Sequence, residues 1–246
     1  VPETTAKAHR TVSRVTDILE TVAQHGGARM HELAVALEAP KSSVFGLVKG
    51  LVSTGYLSEE KGVYRLGPAL GNLLTQPAPD IAGAVRPSLE ALRDEFGETA
   101  MVGIPVGDSL TYLASAESRQ PIRYSAPLRV RRPLFPPSAG KVVLAYRTAK
   151  QRESYLRTLF DNEDRVRSAM AELAEVRASQ VAFNHDETLP DLSATARPVL
   201  VGGRLSAVLA VAGPTTRIEA HLHTIAEALV DATTAAAERL GAQSAG

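Results

Sequence analysis

Residues 30–51 read "MHELAVALEAPKSSVFGLVKGL", and this stretch decides the fold. Met30, Leu33 and Leu37 share one face of a short helix that stops at Pro40. A second helix follows, with Val44, Leu47, Val48 and Leu51 inward and Gly55 as its C-terminal stop. Two helices joined by a tight turn at Glu38 to Lys41 have the spacing of a helix-turn-helix.

The flanks extend that reading. Upstream, Val12, Val15, Ile18, Leu19 and Val22 follow the i, i+3, i+4 rule and form an amphipathic helix ending at Gly26-Gly27. Downstream, "YLSEEKGVYRLG" at 56–67 predicts two short strands around a turn at Glu59 to Gly62. Three helices followed by a two-stranded wing give a winged helix-turn-helix. Its third helix would enter a DNA major groove, presenting Lys41, Ser42, Ser43 and Gly46 from its first turn and Lys49 one turn later. Arg10 and Arg14 on the first helix, with Lys61 and Arg65 on the wing, are placed to clamp phosphates. Glu32, Glu38, Glu59 and Glu60 dilute this basic face, so a plain three-helix bundle with a solvated surface is the competing reading.

Composition sets the outer bounds. The chain has 246 residues, no cysteine and a formal net charge of +0. A disulfide framework and thiolate metal sites are therefore excluded. No apolar run approaches the roughly 18 residues of a membrane span, and no export signal is seen. A cytoplasmic protein is expected. With zero net charge, any case for nucleic acid must rest on local charge.

Two prolines in "TQPAPDIAG" (75–83) mark a break, after which a helix over about 80–96 carries Pro87, read as a kink or a late start. "TAMVGIPVGDSLTYLASAES" (99–118) predicts a hairpin turning at Gly107-Asp108. The proline-rich 120–137 is read as irregular, with a strand at 121–125. Helices are expected over 138–147, 149–160 and 163–179, then two strands at 193–201 and 204–213 joined by Gly202-Gly203, then a terminal helix over about 215–240. Antiparallel strands with segregated helices make this half α+β.

Chemistry-bearing motifs are few. Ser138 and Lys141 have the S-x-x-K spacing of some acyl enzymes, but the S-D-N-like and K-T-G-like elements those enzymes need are missing, as is a G-x-S-x-G elbow. "NHDE" at 184–187 lacks metal-ligand spacing, and His221 and His223 face different sides of a helix. No metal, cofactor or catalytic residue is expected. Ser118 to Arg152 contains nine Lys or Arg and no Asp or Glu, which suits an anion. Arg123 is the preferred pocket cation because it falls in the expected strand, whereas Arg129, Arg131 and Arg132 are expected to face water or a partner. The free N–H groups at the helix start, Ser138, Ala139 and Gly140, could meet a carboxylate, with Lys141 on the outer face.

The order of these motifs resembles the IclR family of bacterial transcription regulators over nearly the whole chain. "RTVSRVTDILETVAQHGG", the helix-turn-helix and the wing resemble its DNA-binding domain. "RRPLFPPSAGKVVLA" (131–145) and "RLSAVLAVAGPTTRI" (204–218) resemble its G-K-x-x-L-A helix and its penultimate strand. The resemblance implies a winged-helix domain over 1–77, a linker helix over 78–97 and a GAF-like α+β domain over 98–246 that binds effector and oligomerises. It also implies a homodimer or homotetramer on an imperfect palindrome in double-stranded DNA, without enzymatic activity, and leaves open whether it is a repressor or an activator. The effector is expected to be a small organic acid. By position its pocket would take Phe135, Ser138, Ala139 and Gly140 from the loop and helix start, Asn184 where relatives carry an acid, Ala194 where they carry cysteine, and Ala210 and Ala212 where they carry serine. Three alanines imply a larger, more apolar pocket and a bulkier effector, an aromatic or branched carboxylate. The alternative class is an enzyme acting on a small carboxylate in the C-terminal domain, with the winged helix as an accessory.

Overall fold

The computed structural model describes residues 9–73 and 80–244 of the chain. The chain divides between residues 78 and 79 into two compact units. The break expected at 75–83 and the start of the linker at 78 fall largely on 74–79, outside the described residues.

The first unit begins with α1 (Arg10–His25), closed by Gly26 in the left-handed conformation at φ 67°, which glycine adopts at little cost. Strand β1 (Ala28–Arg29) leads into α2 (Met30–Ala36) and α3 (Lys41–Ser53). Between the two helices Glu38 takes φ 47°, making the sharp turn without a glycine. The wing is β2 (Leu57–Glu60) and β3 (Val63–Leu66), paired Leu57 to Leu66 and Glu60 to Val63. Strand β1 was not foreseen: its two residues pair with β3, giving the sheet order β1-β3-β2. Ile18, Val22, Leu33, Val44, Val48, Leu51, Leu57 and Tyr64 form the core. Val12 departs from its expected inward position and is 60% exposed, because the first turn of α1 runs past the end of that core.

In the second unit α4 (Ile81–Phe96) starts at Asp80, whose Oδ1 accepts from the Gly83 N–H at 2.9 Å. The helix starts before Pro87 and continues through it. Strands β4 (Thr99–Val106) and β5 (Ser109–Ala116) form the expected hairpin. The strand expected at 121–125 is absent; the short strand is β6 (Arg131–Arg132), paired with β5. Helices α5 (Ser138–Ala145), α6 (Ala149–Arg157) and α7 (Glu163–Ser179) follow, then β7 (Ala182–His185), β8 (Leu192–Val201) and β9 (Arg204–Pro214). The chain closes with α8 (Thr215–Ile218), a 3-10 turn and α9 (Leu222–Ser244).

The six strands make one antiparallel sheet in the order β6-β5-β4-β9-β8-β7. Side chains alternate across it, so both faces are buried. Met101, Leu110, Ala196 and Ala210 pack with Val142, Leu144 and Leu173 of α5 and α7. Val102, Leu209 and Val211 pack with Val85 and Leu89 of α4 and Ile225 and Leu229 of α9. The result is an α+β sandwich with one sheet between two helical layers.

Candidate functional site: recognition helix and effector pocket

On α3, Val44, Val48 and Leu51 are buried, which turns Lys41, Ser42, Ser43, Phe45, Gly46 and Lys49 outward. Pro40 stands at the N-cap without a side-chain cap, and the first turn has no acidic residue. This helix end is therefore electropositive and open to a phosphate. Arg10, Lys41 and Lys61 are exposed and Arg14 is half-buried. The wing engages the other two expected contacts internally: Lys49 Nζ is 2.6 Å from Glu59, and Arg65 is 3.1 Å from Glu60. The bond to Glu59 holds the Lys49 ammonium above its usual range.

The second unit has a small cavity of about 50 Å³ beside the start of α5, with Ser138, Asn184, Ala194 and Ala212 on its walls. Four of the sequence-predicted positions thus come together. The others do not. Ala139 and Ala210 are packed in the core at 0% and 1% exposure, and Phe135 packs edge-on against Phe160 at 5.7 Å. Gly140 serves contact of another kind: a Cβ there would lie 2.5 Å from the Leu134 carbonyl oxygen. Gly140→Ala is expected to cost about 1–3 kcal/mol through overpacking, read as a lower denaturant midpoint at unchanged slope.

Arg123 is corrected more sharply. It lies outside any strand, exposed, with Nε 3.2 Å from Glu117. Arg119 and Arg147 are likewise taken by Asp94 at 3.4 Å and Asp108 at 2.6 Å. The cation on the cavity wall is Arg132, one of the triplet expected to face water. Pairing of Arg132 with Leu110 fixes its backbone on the sheet edge. Its buried Nε–H has no hydrogen-bond partner. The periodicity signal that would have found it, a strand at 131–132, is only two residues long.

Two tyrosines and a methionine, Tyr112, Tyr124 and Met101, also line the cavity. With these larger side chains on the wall beside Ala194 and Ala212, the cavity is small rather than large. Drug-sized ligands use pockets of about 300–1,000 Å³. Burial pushes the Tyr112 hydroxyl well above its ordinary range, which keeps it protonated as a donor. Asn184 is 2% exposed, and its Nδ2 donates to the Pro136 carbonyl at 3.2 Å and to Thr188 Oγ1 at 2.8 Å. Those bonds fix the amide orientation and leave Oδ1 as an acceptor without a partner.

Lys141 was expected on the outer face of α5 but is 1% exposed. Its ammonium donates to Glu187 at 2.7 Å and to the Phe183 carbonyl at 3.0 Å, and pairs with Glu172 at 2.6 Å. A buried ammonium demands such partners. It ties α5 to α7, to β7 and to the loop carrying Thr188. Among the described residues no group of three or more His, Cys, Asp or Glu side chains could hold a metal, and no helix is long and apolar enough to cross a membrane.

The family model "Bacterial transcriptional regulator IclR C-terminal" matches residues 77–239, and "IclR helix-turn-helix domain" matches residues 11–61. The HTH-type transcriptional regulator BhcR of Paracoccus denitrificans is 28% identical over 91% of this chain and 84% of its own length. A crystal structure of an IclR transcriptional regulator from Silicibacter sp. TM1040 superimposes with a TM-score of 0.75 at 26% identity, covering 94% of this chain and 96% of that one. An IclR homolog from Microbacterium hydrocarbonoxydans, complexed with 4-hydroxybenzoate, has the same fold, with a TM-score of 0.73 at 19% identity over 94% and 99% of the two chains.

Proposed function

This chain belongs to the IclR family of bacterial transcriptional regulators, and we propose that it is a cytoplasmic regulator whose operator binding is set by a small organic acid. The observation that carries the effector reading is that Arg132, whose buried Nε–H has no hydrogen-bond partner, lines a small cavity together with Ser138 at the N-terminus of α5. An unsatisfied buried donor costs free energy, and a carboxylate would satisfy it. Ser138 and the helix start add donors, Tyr112 adds a hydroxyl, and Asn184, Ala194 and Ala212 line the same cavity. A cavity of this size suits a small carboxylate, with Tyr112 and Tyr124 able to flank a planar one.

On DNA, Arg10, Arg14, Lys41 and Lys61 hold phosphates, and Ser42 and Ser43 reach the groove from the first turn of α3. Lys49 and Arg65 exchange their wing carboxylates for phosphate oxygens. Residues 1–77 act as the DNA-binding part, 78–97 as the linker and 98–246 as the effector and oligomerisation part. Two winged helices of a homodimer, or of paired dimers in a homotetramer, read the halves of an imperfect palindrome. The effector shifts occupancy only through its differential affinity for the two arrangements. The accessory-enzyme reading has less support: Ser138 is buried, and the ammonium that would have to serve it is spent on two carboxylates.

Salt titration tests the DNA reading. Each phosphate contact contributes a slope of roughly −0.9 in log affinity against log salt. Six contacts therefore predict a slope of roughly −5 per bound subunit. A slope near zero, or no binding to upstream duplexes at about 50 mM salt with or without carboxylates, would overturn it.

A further inference from the structure

We propose that Phe45 reads a thymine methyl group in the major groove and so sets part of the operator sequence. The proposal rests on α3 being the recognition helix. Phe45 sits on its outward face, 51% exposed and outside the apolar core of its unit. It lies between the exposed Ser42 one turn before and the exposed Lys49 one turn after. Gly46 beside it carries no side chain, and no atom stands within 4 Å of where a Cβ would be.

A phenyl ring has no donor or acceptor. It cannot hold a phosphate, and it cannot read the polar edges that distinguish guanine, cytosine and adenine. The major-groove edges carry one protruding apolar group, the thymine C5-methyl, and apolar side chains contact it. The neighbouring cation supports the same orientation. Lys49 Nζ lies 5.7 Å from the Phe45 ring centroid while bonded to Glu59 of the wing at 2.6 Å. The ring is thus flanked by a positive charge held by the wing, and the pair forms one surface: the ammonium for the backbone, the ring for a base. Arginine and lysine contacts would give affinity to any duplex, whereas this apolar contact discriminates a T·A pair from one without the methyl.

The test uses the full chain and a duplex it selects from a random library. Each thymine of the selected site is replaced in turn by deoxyuridine, which removes only the methyl group. At one position in each half-site the wild-type affinity is expected to fall roughly four-fold, the value of one buried methyl group. In Phe45→Ala the same substitution is expected to change nothing, while the salt slope and the melting temperature stay as in the wild type. Should Phe45→Ala bind too weakly for the comparison, Phe45→Leu takes its place, with a smaller deoxyuridine penalty expected. The proposal is overturned if every deoxyuridine duplex binds like the parent, or if the penalty is undiminished in the variants. It is also overturned if Phe45→Ala changes only self-association. Failure to select any duplex would instead count against the DNA-binding reading itself.

Discussion

Lys141→Met is expected to lower the melting temperature of the C-terminal unit by roughly 6–12 °C, read by calorimetry. The side chain is 1% exposed, and methionine nearly matches its volume, so little of the effect is packing. What is lost is the single ammonium between two carboxylates, Glu172 at 2.6 Å and Glu187 at 2.7 Å. Removing one partner from a buried ionic cluster costs about 3–5 kcal/mol, because the charges left behind stay desolvated and unpaired. Both carboxylates keep some water contact, with side-chain exposures of 41% and 33%, so the lower end applies. At about 2–4 °C per kcal/mol for a unit of this size, that gives the stated range. Adding Glu187→Gln to Lys141→Met should recover part of the loss, since the repulsion is then removed. A melting temperature within about 2 °C of wild type would show that the ammonium does not hold the unit together.

The same residue shows where sequence reading succeeds and where it stops. Helices α1, α2 and α3 were legible because each buries a single stripe at helical spacing, and Gly26 and Gly55 stop the chain where a left-handed residue is needed. The long hairpins of the second unit were legible through Gly107 and Gly202-Gly203 at their turns. Lys141 was misplaced because residue type carries no information about a partner 46 positions away. Nothing local says that a lysine in "SAGKVVLA" will be covered by α7 and the loop after β7. Strands β1 and β6, of two residues each, are too short for a periodicity to register and pair along the edges of longer neighbours. The candidate pocket was half legible. Positions set by the resemblance, Ser138, Asn184, Ala194 and Ala212, lie on its wall, while Tyr112, Tyr124 and Arg132 arrive through pairing and loop geometry. Counting alanines predicted volume; the tyrosines that fill the volume come from elsewhere in the chain.

Which arginine meets the effector decides the second large effect. Arg132→Gln is expected to raise the carboxylate concentration needed to change DNA occupancy by roughly 30- to 100-fold, with DNA affinity in the absence of effector unchanged. A charged hydrogen-bonded pair sealed from water is worth about 2–5 kcal/mol to binding, and glutamine keeps a donor but not the charge. Stability should move the other way or not at all. The Nε–H of Arg132 has no hydrogen-bond partner within the protein, so its replacement breaks no bond at that atom. That opposite sign separates a binding group from a structural one. Arg123→Ala is the control: its guanidinium is committed to Glu117 at the surface, at 3.2 Å, where an exposed pair contributes about 0–1 kcal/mol. It should leave both the effector response and the melting temperature where they were. Fluorescence anisotropy on the selected duplex, titrated with acetate, pyruvate, benzoate and 4-hydroxybenzoate, reads all three proteins. An Arg132→Gln protein that responds at the wild-type carboxylate concentration would remove Arg132 from the pocket's chemistry. The helix start of α5 would then be left to bind the anion through backbone N–H groups alone.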